Sequence, residues 1–303
     1  MKQLLLSLLL LCSLGISAQD GVVTRPKKQQ TTTTAPKQNS SQKPAAKPQS
    51  ATKTQPKPQS KPTVPRVTAS YSNGTLTVNG ANYPMVYVQA GTFTMGATSE
   101  QGSEAFFDEK PAHQVTLSSY YIGKYEVTQA LWKAVMGSNP SEFKGSRRPV
   151  GRVSWYDCQT FISKLNSLTG KRFRLPTEAE WEFASRGGTM SRGYKYSGSN
   201  TPGDVAWYND NSKFTTHDVG MKSPNELGLY DMSGNVDEWC SDWHDSYSSN
   251  SQTNPTGASD GSWRVIRGGS CYCFAGHCRS SKRSYHKPDE SHCDLGLRLV
   301  LVP

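Results

Sequence analysis

The residues with the most chemistry per unit length lie near the C-terminus. Cys271, Cys273, Cys278 and Cys293 fall within 23 residues, three of them in Ser270-Cys-Tyr-Cys-Phe-Ala-Gly-His-Cys278. Thiols this crowded can pair as disulfides, stay free as nucleophiles or hold a soft metal ion. With Cys158 and Cys240 they form an even set of six, which in an exported chain permits cross-links without requiring them. A second dense stretch, Asp231-Met-Ser-Gly-Asn-Val-Asp-Glu238, joins carboxylates to a Gly-Asn turn, an oxygen-rich composition that suits a hard cation. The six histidines (His113, His217, His244, His277, His286 and His292) read one by one as packing or surface residues. His-Glu-x-x-His and a phosphate-binding glycine loop are absent.

These residues need a frame, and the chain signals one of mixed α and β type. Three helices are marked. One opens at a Thr128 cap and stops at Gly137. A second opens at Ser154 with Asp157 three residues on, and its apolar Cys158, Phe161, Ile162 and Leu165 recur at helical spacing. The third carries Pro176 just before a Thr177-x-x-Glu180 capping box, followed by Trp181, Phe183 and Ala184. Alternating patterns predict strands at 75–78, 85–88, 92–95, 114–117, 264–267 and 295–302. From Gly187 to Trp263 little regular pattern is visible, which in a compact domain means working loops or loops pinned by an ion. The Trp132, Trp155, Trp181, Trp239 and Trp243 set reads as core.

The N-terminus reads as an address. Met1-Lys2, the apolar run Leu4 to Leu14 and Gly-Ile-Ser-Ala before Gln19 form the pattern of a signal peptide cut near Ala18, too short to span a membrane. The expected product is secreted, periplasmic or envelope-associated, monomeric and without a transmembrane segment. Residues 19–66 are rich in Lys, Pro, Gln, Thr and Ser, a composition that cannot bury enough surface to offset ordering entropy, and they read as a disordered basic tether. The net charge of +10 sits there. Residues 20–66 hold ten Lys/Arg against Asp20 alone and Lys2 adds one more, leaving 23 basic and 23 acidic residues in 67–303. A neutral domain argues against nucleic acid as a partner.

Seven stretches, in order, carry a resemblance: Met85-Val-Tyr-Val-Gln-Ala-Gly-Thr-Phe-Thr-Met-Gly96, Lys124-Tyr-Glu-Val-Thr128, Pro149-Val-Gly-Arg-Val-Ser-Trp155, Arg174-Leu-Pro-Thr-Glu-Ala-Glu-Trp-Glu-Phe183, Gly228-Leu-Tyr-Asp-Met-Ser-Gly-Asn-Val236, Arg267-Gly-Gly-Ser270 and Leu295-Gly-Leu-Arg298. Together they resemble the sulfatase-modifying-factor domain of formylglycine-generating enzymes, over roughly 84–303. The resemblance implies an α+β, C-type-lectin-like fold with short strands and much irregular loop. It also implies a copper(I) site in which Cys273 and Cys278 bind the metal and engage a sulfatase cysteine, with Ser270 lining the oxygen pocket. It further implies calcium held by side chains of Asp231 and Glu238 and carbonyls of Gly234 and Val236. The family holds oxidases, iron enzymes and binders, so the fold does not fix the activity.

Here the sequence departs from the oxidases. The pocket tryptophan of their Gly-Asn-x-Trp-Glu-Trp motif is Asp237, the residues inside the cysteine pair include Phe274 and His277, and the run after it is Arg279-Ser-Ser-Lys-Arg283. The alternative reading is a non-catalytic, lectin-like binder of a surface protein or glycan, displayed on the tether. Some exported members of this fold are diversified by retroelements that mutate adenines in Asn-type codons. The non-framework positions Cys271, Tyr272, Cys273, Phe274, His277, Tyr285, His286, Ser291, His292, Cys293 and Asp294 fit that pattern. Each can be encoded by a triplet ending in a pyrimidine, and none is Lys, Glu, Gln, Met or Trp.

Overall fold

The computed structural model describes residues 67–303, so the expected leader at 1–18 and tether at 19–66 lie outside the described residues. In chain order the strands are β1 Ala69–Ser72, β2 Thr75–Val78, β3 Ala81–Val88, β4 Gly91–Met95, β5 His113–Leu117, β6 Tyr120–Gly123, β7 Phe173–Arg174, β8 Ala206–Trp207, β9 Ser233–Gly234, β10 Asp237–Trp243, β11 Gln252–Thr253, β12 Arg264–Arg267, β13 Arg283–His286, β14 Leu295–Gly296 and β15 Val300–Leu301. The helices are α1 Gln129–Met136, α2 Trp155–Thr169, α3 Glu178–Ser185 and two single turns, α4 Pro202–Val205 and α5 Asn209–Ser212. The strands form sheets in the orders β1-β2-β3-β6-β15-β7, β13-β12-β10-β14, β11-β5-β4 and β8-β9.

Local chemistry sets the helices where the sequence marks them. The Thr128 hydroxyl accepts from Leu131 N–H and α1 ends at Gly137 in the left-handed region. Ser154 with Asp157, and Thr177 with Glu180, close reciprocal capping boxes on α2 and α3. One apolar core joins α1 and α2 to the six-stranded sheet, with Trp132 stacked on Phe161 at 4.8 Å, and Trp239 closes it. A second, centred on Trp181 and Phe183 of α3, packs on β5, β6 and β12.

The stretch 187–263 is less irregular than the sequence implies, because β10 runs through it as the centre of a sheet. Asp237-Glu-Trp-Cys-Ser-Asp-Trp243 lacks apolar alternation, since its charged side chains turn inward to buried partners. The strand expected over 295–302 is split into β14 and β15. Between them Arg298 turns into the interior, where its guanidinium bonds the carbonyls of Gly123 and Tyr230 and the Glu238 carboxylate.

A buried ionic lattice joins α3 to β12 and β13. Arg267 bridges Glu178 and Glu182, Arg283 bonds Glu178, and Arg279 bonds Glu109, all essentially without solvent exposure. Charges this deep persist only when fully paired. They clamp the segment that follows Cys278 against α3.

Candidate functional site

The cysteine loop leaves β12 through Gly268 and Gly269, both at positive φ. A Cβ on Gly269 would lie 2.8 Å from the His277 carbonyl and 3.1 Å from Cys278 Sγ, so only glycine lets the two ends of the loop approach. The loop is pinned by its backbone. Cys271 N–H donates to Asn235 O, the Ser212 hydroxyl to Cys271 O, Asn209 N–H to Cys273 O and the Ser233 hydroxyl to Cys278 O.

Ser270 and Cys273 lie side by side, with Cys278 Sγ close to Gly269, in an acidic setting. The Ser270 hydroxyl donates to Asp294 Oδ2 at 2.5 Å and lies 3.4 Å from Cys273 Sγ. Asp237 Oδ1 accepts from Gly269 N–H at 3.1 Å, at the loop's entrance. Burial, then the neighbouring Asp237, pushes the Cys273 thiol up to about 12. Burial, then Cys273 and Asp237, drives Cys278 well above the ordinary thiol range. Asp237 is itself raised well above a normal carboxyl by burial and by Asp294. Two sulfurs suit a soft ion such as copper(I) in kind, and binding it would displace the proton of each thiol. No S–S bond joins any of the six cysteines at 158–293.

The residues expected to hold calcium fall in one buried acidic cluster. Glu238 accepts from Arg298 Nη2 at 2.7 Å, from Arg298 Nε at 3.0 and 3.2 Å, and from Trp181 Nε1 at 2.8 Å. These contacts fill the lone-pair sites a carboxylate offers, so Glu238 has none left for a metal. Asp231 differs: Oδ2 accepts from Gly220 N–H at 2.7 Å, while Oδ1 is buried without a partner. Glu126 is the member that sequence reading passed over, although it sits in the quoted Lys124-Tyr-Glu-Val-Thr motif. It accepts from the Val236 N–H and the Asn235 amide. Burial raises Asp231 to about 6, and burial with the charges of Asp231 and Glu238 raises Glu126 well above normal. Of the two carboxylates expected to hold calcium, Asp231 alone keeps a buried oxygen without a partner. Gly234 N–H bonds the Gly268 carbonyl, so this cluster also braces the cysteine loop.

The eleven non-framework positions behave as a group. All except Cys271 are exposed or half-buried, whereas the intervening Arg279, Ser280, Ser281 and Arg283 are buried. Tyr272 and Phe274 point outward, and Phe143 and Phe214 flank Tyr272 at 6.4 and 6.1 Å between ring centroids. Tyr285 and Trp263 form a second exposed aromatic pair. A separate cleft of about 470 Å³ is lined by Glu178, Asp242, Tyr247 and Arg283 and includes none of the cysteines.

The glycine-entered cysteine loop, the braced acidic turn and the sheets curled around two cores define a C-type-lectin-like domain of the formylglycine-generating type. Residues 74–302 match the family described as "Sulfatase-modifying factor enzyme 1-like domain", and the chain belongs to that family. It is 35% identical over 284 residues to the "Chaperone protein LppX" of Paenibacillus barcinonensis, covering 77% of this chain and 94% of that one. It is 30% identical over 282 residues to the formylglycine-generating enzyme of Mus musculus, covering 71% and 74%. Among solved structures it superposes on Treponema denticola variable protein 1 with a TM-score of 0.69 and 35% identity, covering 76% of this chain and 98% of that one.

Proposed function

We propose that this domain is a non-catalytic binder of a surface protein or glycan, displayed outside the cell on the 19–66 tether after removal of residues 1–18. The observation that carries the reading is the division of labour within 271–294. Buried arginines and serines hold the backbone, while the interspersed Tyr272, Phe274, His277, Tyr285, Ser291 and His292 reach the surface. Rigid aromatic side chains on a fixed scaffold offer contact area at low entropic cost, as at recognition surfaces generally. The similarity to a variable protein supports the reading, and Asp237 in place of the oxidases' pocket tryptophan weighs against the oxidase. Calcium and copper have no step in it.

The test is comparative binding. The immobilised protein and a Tyr272→Ala/Phe274→Ala double variant are challenged with a glycan array and a panel of extracellular proteins. Loss of a wild-type ligand in the double variant, with folding unchanged, is expected. A ligand retained undiminished by the variant overturns the assignment of this face.

A further inference from the structure

His286, Glu290 and His292 are drawn together by folding. His286 ends β13 and is held by its pairing to Arg264 of β12. The chain then turns, with Glu290 N–H donating to the Lys287 carbonyl. It is tied to the segment entering α2, where Trp155 N–H donates to Pro288 O and Arg152 N–H to His292 O. These bonds fix the backbone on both sides of Glu290.

The result is a compact set of nitrogen and oxygen donors. One candidate ligand atom from each of the three side chains lies within 4.8 Å of the other two. His286 Nδ1 is 2.8 Å from Glu290 Oε2, His292 Nε2 is 3.9 Å from the same oxygen, and the imidazole centroids are 4.5 Å apart. Ligands at about 2.0–2.2 Å from a tetrahedral ion stand roughly 3.3–3.6 Å from one another. Small side-chain rotations therefore suffice to admit an ion. Two imidazoles and a carboxylate select a first-row divalent ion over calcium, which takes oxygen donors alone. The three side chains are 33%, 35% and 48% exposed, so an ion held here keeps a coordination position open to solvent.

We propose that His286, Glu290 and His292 form a binding site for a divalent transition-metal ion, with Zn²⁺ as the working probe. The ion closes the 287–291 turn onto the end of β13. It also presents an open coordination position on the face formed by 271–294, where an imidazole or carboxylate of a partner can complete its shell. The site stands on its own geometry and holds whether or not that face binds a macromolecule.

The test is calorimetric titration of the purified full chain with Zn²⁺ alone. One ion per chain is expected, with affinity lowered by about tenfold or more in His292→Ala and in Glu290→Gln. Both side chains are accessible enough to change without disturbing a core. Cys273→Ser/Cys293→Ser should bind like the wild type, and Co²⁺ substitution should show no thiolate charge-transfer band. Absence of binding, binding undiminished in both His292→Ala and Glu290→Gln, or loss in the cysteine variant each overturns the assignment.

Discussion

At the residue scale, the identity of the reactive groups is legible in the sequence and their protonation is not. Ser270 and Cys273 lie 3.4 Å apart in the same loop as Cys278. What spacing cannot show is that the thiols are buried, with Asp237 beside them, which raises both above the ordinary thiol range. Glu238 is a comparable case, because the cation beside it is Arg298, 60 residues away in sequence, where calcium is expected. The buried lattice gives a sharp expectation. Arg267→Leu leaves Glu178 with Arg283 and Glu182 with Arg186 as their remaining cations, and should cost about 3–5 kcal/mol in urea unfolding. A loss below 1 kcal/mol would show that the lattice is not holding α3. Asp242 supplies a pH signature, since burial and the Glu178 charge raise it to about 7. The folded state then keeps a proton that the unfolded chain releases near pH 4, so its contribution to stability falls as pH rises from about 4 to about 7, by up to about 1.4 kcal/mol per unit. Asp242→Asn should remove that slope, and parallel stability curves for variant and wild type would refute it.

At the element scale, caps and periodicity locate α1, α2 and α3 because these signals are local. The capping boxes at Ser154 and Thr177 form as read, and Thr128→Ala should cost α1 about 1 kcal/mol. Thermal denaturation would show this. β10 and the break between β14 and β15 are invisible locally, because both depend on charged side chains finding distant partners. The single-turn α4 and α5 are too short to show a period. The loop entrance is testable here. Gly269→Ala places a Cβ 2.8 Å from a carbonyl at a φ of +70°, and should destabilise by about 1–3 kcal/mol. Gly203→Ala meets no atom within 4 Å and should be close to neutral. Equal effects in the two would show that the loop yields freely.

At the scale of the whole molecule, one scaffold serves two possible ends, and the fold alone does not choose. Two cores and a buried ionic lattice fix a frame that keeps 271–294 in place whatever its surface residues are. That separation suits a binder whose contact residues vary. No helix among the described residues is long and apolar enough to cross a membrane. The comparison that decides is chemical. A Cys-x-Pro-x-Arg peptide is incubated with the purified protein, copper(I) and oxygen, beside a Cys273→Ser variant and an authentic formylglycine-generating enzyme. Mass spectrometry is expected to find aldehyde only with the authentic enzyme. Aldehyde formed by this protein and lost in Cys273→Ser would contradict the account, and show that thiols beside Asp237 can still be drawn into copper chemistry.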